Sequence, residues 1–97
     1  MIETKLNYSF IQRLTELPYI NHIYLYGSRA RGDHRPRSDL DLAIECPQAS
    51  NQDWQQILEI IEDADTLLSI DVLRYDQLQE GLLKENIDRD KKIIMYR

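Results

Sequence analysis

Apolar residues recur along this chain in two rhythms, one near 3.6 and one of 2. Leu6, Phe10, Leu14 and Leu17 are spaced by three and four positions, the pattern of an amphipathic helix, and Pro18 ends it. Residues 22–26, His-Ile-Tyr-Leu-Tyr, read as a short strand. Residues 39–45 begin Asp-Leu-Asp-Leu, a strict polar–apolar alternation that predicts a half-buried strand. Pro47-Gln48-Ala49-Ser50-Asn51 is a loop. Trp54, Ile57, Leu58, Ile61 and Ala64 return to helical spacing and predict a second helix through residue 65. A strand over 68–73 follows. Asp76 is placed to cap a short helix through Leu83, and Ile87 to Tyr96 reads as a last helix with Ile87, Ile93 and Ile94 apolar. The order αβ-turn-βαβαα predicts an α+β domain of α/β-like character. It has a small mixed sheet, helices packed on one face, and polar groups on the other.

The chemistry concentrates between residues 27 and 42. With period 2, Asp39 and Asp41 leave the same face of a strand, about 7 Å apart at Cα. Two acids so close repel, and they are costly to desolvate without a cation between them. A hard divalent ion such as Mg²⁺, which takes oxygen ligands and often a phosphate, is the natural occupant. Upstream, the 22–26 strand runs into Gly27-Ser28. Glycine allows a sharp turn and close approach of the backbone to a ligand, and the amides of a helix start favour anions. Arg29, Arg31, Arg35 and Arg37 put four of the chain's 12 Lys and Arg residues in one loop. A phosphate cradle beside a carboxylate metal site suits phosphoryl or nucleotidyl transfer. Asp71 interrupts the apolar run Leu67–Leu73 and is expected in or beside a core, where a lone carboxylate is unfavourable. If its strand neighbours the Asp39/Asp41 strand, it completes a three-carboxylate cluster and accepts the nucleophile's proton.

Other readings of these residues are weaker. A calcium loop needs polar intervening residues and a central glycine, and leucines stand there instead. Gly27 and Gly32 are not followed by the Lys-Ser/Thr of a Walker loop. A solvated strand face remains the plain alternative for Asp39/Asp41, and an edge-strand acid paired with Arg74 for Asp71. His22 and His34 lack partners at metal-ligand spacing and read as structural. Tyr24 and Tyr26 read as sheet packing, and Trp54 as core. Cys46 has no activating base nearby in sequence.

Length and composition set the remaining bounds. A chain of 97 residues is expected to form one domain, 1–97, with a small core. Glu3 and Lys5 interrupt any signal-peptide pattern, and no apolar run is long enough to span a membrane. The single Cys46 cannot form an internal disulfide, which fits a reducing cytoplasm. A net charge of −5 argues against general nucleic-acid binding.

Gly27-Ser28-x-Ala30-Arg31-Gly32-x₅-Ser38-Asp39-x-Asp41-Leu42, with Asp71 on a later strand, resembles the signature of the polymerase-beta-type nucleotidyltransferase superfamily. Within it the chain is similar to the small MNT-type antitoxins, from about Leu6 to the C-terminus. The closing Ile93-Ile94-Met95-Tyr96 resembles the family's last segment, without its usual glycine. The resemblance implies Mg²⁺-dependent transfer of AMP from ATP. Asp39 and Asp41 would ligate two metals, with Asp71 as the third carboxylate. Gly27 and Ser28 would hold the triphosphate, with Arg31 and Ser38 beside it. It also implies pairing with a HEPN-type helical toxin whose tyrosine receives AMP, in a hetero-oligomer or homo-oligomer. Two rival functions follow from the same residues: an antitoxin that neutralises its toxin by contact alone, and an enzyme that modifies a small molecule.

Overall fold

The computed structural model describes residues 8–96, so Leu6 lies outside the described residues. The elements are α1 (Ser9–Thr15), β1 (His22–Tyr26), α2 (Gly27–Arg31), β2 (Leu40–Glu45), α3 (Asn51–Glu62), β3 (Ile70–Arg74), a 3₁₀ turn (Tyr75–Gln77), α4 (Leu82–Asp90) and β4 (Lys92–Tyr96). The four strands form one mixed sheet in the order β3-β2-β1-β4. β1 runs antiparallel to both β2 and β4, whereas β2 and β3 are parallel.

Strand alternation sorts the side chains. Ile23 and Leu25 of β1 and Leu40, Leu42 and Ile44 of β2 enter one apolar cluster, and β4, irregular at Ile94, adds both Ile94 and Met95. α1 supplies Phe10, Ile11 and Leu14 to it, and α3 supplies Ile57, Ile60 and Ile61. Ile70 and Val72 of β3 pack against its edge, as does Trp54. The intervening residues of β1 and β2, among them Tyr26 and Asp41, therefore face the other side of the sheet. α3 starts where it does because Ser50 and Asp53 form a reciprocal capping box. The Asp53 amide donates to Ser50 Oγ (3.1 Å) and the Ser50 amide to Asp53 Oδ2 (2.9 Å).

The last third of the chain differs from the sequence expectation. The helix expected over Ile87–Tyr96 is two elements: α4 ends at Asp90, and Lys92–Tyr96 is a strand. Ile93 and Ile94 are β-branched, and pairing with the free edge of β1 overrides the helical spacing. A β-bulge between Ile23 and Tyr24 resets the register there. Asp76 caps no helix. It sits in the 3₁₀ turn, where its Oδ1 accepts from the Cys46 amide (2.8 Å) and its Oδ2 pairs with Arg74 Nη2 (3.0 Å). Arg74 also donates to the carbonyls of Cys46 (2.8 Å) and Ala49 (3.3 Å). This half-hidden knot ties β3 to the loop after β2, and it claims Arg74, so Arg74 is no partner for Asp71. Asp76→Ala leaves a nearly buried guanidinium (9% exposed) without its carboxylate and an amide without its acceptor. It should cost about 3 kcal/mol in urea unfolding. A loss below about 0.5 kcal/mol would show the knot to be dispensable.

Candidate active site

The parallel register of β2 and β3 sets Asp41 directly opposite Asp71, with Leu40 opposite Ile70. Adjacent strands lie about 4.8 Å apart, so two carboxylates on the same face must meet. They do: the Asp71 carboxyl lies near enough to raise that of Asp41. Asp41 is partly buried, and its carboxyl is pushed above its ordinary value. Burial is the main cause, followed by the charges of Asp71 and then Asp39, with Arg31 opposing. Asp71 itself is exposed rather than set in or beside a core, because β3 is an edge strand. Asp39 stands just before β2 and is also exposed.

Across the β1–β2 ladder Asp41 pairs with Tyr26. Burial pushes the Tyr26 phenol up to about 12, helped by the charges of Asp41 and Asp71, so the hydroxyl stays protonated at neutral pH. Its alternation with Ile23 and Leu25 already placed it on the acid face. The alternation by itself reads as sheet packing, because the β1–β2 register is not local information.

Gly27 joins β1 to α2 with φ +72°, a backbone conformation that glycine adopts freely. A Cβ built there would stand 2.4 Å from Asp41 Oδ2. The Asp41 carboxylate thus lies against the Gly27 backbone. α2 is closed at Gly32 (φ +84°), where the amides of Gly32 and Asp33 both donate to the Ser28 carbonyl (2.9 and 3.1 Å). Ser28 begins this turn beside Gly27.

The arginines divide the work among themselves. Arg29 Nε donates to the Ser38 carbonyl and its Nη2 to the Pro36 carbonyl, both at 3.1 Å. Ser38 Oγ accepts from the Arg35 amide (2.9 Å). Arg29 and Ser38 therefore fold the loop that delivers Asp39. Arg31 pairs with Asp33 (3.0 Å) and with Asp90 at the end of α4 (3.6 Å). It remains close enough to Asp41 to oppose the rise of its pKa. Arg35 and Arg37 are exposed.

His22 and Cys46 both have identifiable surroundings. His22 Nδ1 lies 2.6 Å from Glu45 Oε1. The buried Cys46 thiol is pushed up to about 11, chiefly by burial, which leaves it unreactive. A cluster that the sequence did not suggest lies next to the sheet at the end of α4. The Lys91 ammonium stands over the rings of Tyr24 (4.9 Å) and Tyr75 (4.8 Å). It also donates to Tyr75 Oη (3.0 Å) and to Asp88 (2.8 Å). Tyr24 on β1, Tyr75 after β3 and Lys91 after α4 meet only in the folded chain.

Among the described residues, no three His, Cys, Asp or Glu side chains are gathered as a finished metal cage. The donor set nevertheless fits Mg²⁺. Asp41 and Asp71 are two hard oxygen donors side by side on neighbouring strands, their like charges only partly offset by Arg31, with Asp39 acting on Asp41 as well. Mg²⁺ commonly takes one or two protein carboxylates and fills its octahedron with water and substrate phosphate.

A family model described as "Polymerase beta, Nucleotidyltransferase" matches residues 9–97. The chain belongs to that family and is a nucleotidyltransferase. It is 27% identical over 73 residues, 73% of each chain, to the Methanocaldococcus jannaschii protein named "Putative protein adenylyltransferase MJ1379". Among solved structures it is similar to a toxin–antitoxin crystal structure with AMP-PNP: TM-score 0.65, 23% identity, covering 95% of this chain and 75% of that one. It is also similar to a mutant of the toxin–antitoxin pair MntA–HpeT: TM-score 0.62, 21% identity, covering 92% and 71%. These likenesses establish the nucleotidyltransferase fold, with its small mixed four-stranded sheet. No helix among the described residues is long and apolar enough to cross a membrane.

Proposed function

We infer that residues 1–97 form one Mg²⁺-dependent nucleotidyltransferase domain that moves AMP from ATP to a hydroxyl of a partner protein. The partner is a HEPN-type helical toxin, and this chain is its antitoxin. The observation that carries this reading is the Asp41–Asp71 pairing, set by register on adjacent strands, with the Gly27 backbone against Asp41. Asp39, Asp41 and Asp71 would hold Mg²⁺, which would supply the positive charge that screens the triphosphate and the leaving group. Gly27 and Ser28 receive the triphosphate at the turn into α2. Arg31 adds positive charge beside Asp41, and Ser38 holds Asp39 in place through its loop. Asp71, exposed at the sheet edge, takes the proton from the acceptor hydroxyl. That oxygen forms a bond to the α-phosphorus, the α–β phosphoanhydride bond breaks, and pyrophosphate leaves. Tyr26, opposite Asp41 in the sheet, stays neutral. The relative named as a protein adenylyltransferase, and the toxin–antitoxin neighbour with AMP-PNP, support the donor and the kind of acceptor.

Intact-protein mass spectrometry tests the reading. The chain is incubated with ATP, Mg²⁺ and a HEPN-type helical toxin. The partner should gain the mass of one or more AMP units, and the gain should vanish in EDTA. A toxin neutralised without added mass, and equally well by Asp41→Asn, would instead make this chain a contact antitoxin. Transfer to aminoglycosides or small alcohols with no transfer to protein would favour the small-molecule reading.

A further inference from the structure

α4 ends in residues that its own helix disfavours. Asp88 and Asp90 both stand in its last turn, where the carbonyl end of the helix dipole opposes a carboxylate. Side-chain partners offset that cost, and they differ for the two acids. Asp88 accepts from Lys84 (2.9 Å), Lys91 (2.8 Å) and the Tyr75 hydroxyl (2.5 Å). It belongs to the cluster over Tyr24 described above. Asp90 reaches a different element. Its Oδ2 lies 3.0 Å from Arg89 Nη2 and 3.6 Å from Arg31 Nη1, and its side chain is 13% exposed. Arg89 is the adjacent residue and stands mostly in solvent, so that pair fixes nothing beyond α4. Arg31 is the last residue of α2.

α2 needs such a tie. It has five residues, Gly27–Arg31, and so short a helix has little stability of its own. It buries only Ala30. Arg29 bonds to the Pro36 and Ser38 carbonyls and Arg31 to Asp33, all within the loop that follows α2. The ion pair with Asp90 is what reaches out of that loop to another helix. By helix rise Arg31 is about 6 Å from Gly27, so a displacement at one end of α2 is felt at the other. We propose that Asp90 is a positioning residue of the nucleotide site, acting through Arg31: pairing across from α4, it holds α2, and with it the Gly27–Ser28 turn, against Asp41. It also keeps the Arg31 charge near Asp41 instead of letting it follow Asp33 into the exposed loop. The assignment of the turn to the triphosphate rests on the function inferred above, whereas the tether rests on the ion pair itself.

The experiment uses the full chain and its Asp90→Asn, Asp90→Glu, Asp88→Asn and Arg89→Ala variants. Hydrogen exchange by NMR reads the amides of Gly32 and Asp33, which both donate to the Ser28 carbonyl and so report on α2. The Asn21 amide, bonded to the Glu45 carbonyl at the far end of the sheet, is the reference. A fluorescent ATP analogue with Mg²⁺ reads the nucleotide site. An ion pair between partly exposed side chains shifts an equilibrium by at most about fivefold. Asp90→Asn should therefore speed exchange at Gly32 and Asp33 about three- to fivefold, leave Asn21 unchanged, and weaken nucleotide binding by about the same factor. Asp90→Glu, which keeps the charge, should recover most of both. Asp88→Asn and Arg89→Ala should leave α2 exchange and nucleotide affinity within about twofold of wild type. Unchanged exchange at Gly32 and Asp33 in Asp90→Asn overturns the proposal. So does an equal loss of affinity in Asp88→Asn, which would reflect a general weakening of α4. Tighter nucleotide binding in Asp90→Asn also overturns it, since Asp90 would then compete for Arg31 rather than place it. Failure of the functional reading looks different: the wild type does not bind the analogue, while Asp90→Asn still speeds exchange in α2.

Discussion

Asp41→Asn should abolish AMP transfer while leaving the metal-free protein at least as stable as wild type. The two effects separate because Asp41 is costly to the fold. Its carboxyl is held above its ordinary value of 3.8 by burial, then by Asp71 and Asp39, with Arg31 only partly offsetting them. A group whose folded pKa is raised helps the folded state below its unfolded value and loses that help as pH rises through the folded value. At pH 7 without a cation, ionised Asp41 is therefore a standing penalty. Asparagine keeps the shape and removes the charge. In EDTA at pH 7 the variant's Tm should equal or exceed wild type, and the difference should shrink below about pH 4, where wild-type Asp41 is protonated. Mg²⁺ with ATP should raise the wild-type Tm and not the variant's, since only a site that binds them is stabilised by them. Labelled AMP transfer should fall on the order of 10³-fold or more, about 4 kcal/mol of transition-state stabilisation. Transfer within tenfold of wild type would remove Asp41 from the site. A variant clearly less stable in EDTA would mean that its carboxylate is a structural partner instead.

The same physics explains which parts of the chain were legible beforehand. Asp39, Leu40, Asp41 and Leu42 announce a half-buried strand within four residues, because period 2 is a local property. Gly27 is legible for a similar reason: a glycine at a strand end signals a turn that other residues resist. What adjoins what is not local. Alternation shows Tyr26 on the acid face but not beside Asp41, which only the β1–β2 register decides. Asp71 could be named as the third acid, yet its exposure follows from β3 lying at the sheet edge. Lys92–Tyr96 reads as helix in isolation and becomes strand because β1 offers an unpaired edge. Asp76 likewise has the composition of a cap, and is taken by Arg74 and the Cys46 amide. Arg31 could be singled out, but not that Asp33 and Asp90 would hold it. The errors fall where long-range pairing outweighs local propensity.

Gly27→Ala should cost nearly as much activity as losing Asp41 itself, though the methyl carries no chemistry. Two penalties meet at this residue. At φ +72° an alanine pays roughly 1–2 kcal/mol for a left-handed backbone. Its Cβ would also stand 2.4 Å from Asp41 Oδ2 and 3.3 Å from Asp41 Cγ, so the carboxylate must swing away from Asp71 or the turn into α2 must open. Either movement displaces the acids from the turn into α2, and an ångström of misplacement at a reacting centre is expensive. Gly32 is the control. It has φ +84° and nothing within 4 Å of a Cβ, so Gly32→Ala carries the backbone strain without the collision. Both variants should lose about 1–2 kcal/mol in urea unfolding from strain, with Gly27→Ala losing more. Only Gly27→Ala should lose AMP transfer, on the order of 10³-fold. A cycle with Asp41→Ala isolates the contact: once the carboxylate is gone, the stability cost of Gly27→Ala should fall to that of Gly32→Ala. If the two glycine variants transfer AMP equally well, or if the cost at Gly27 is unchanged when Asp41 is removed, the packing of Asp41 against the Gly27 backbone does not shape the site.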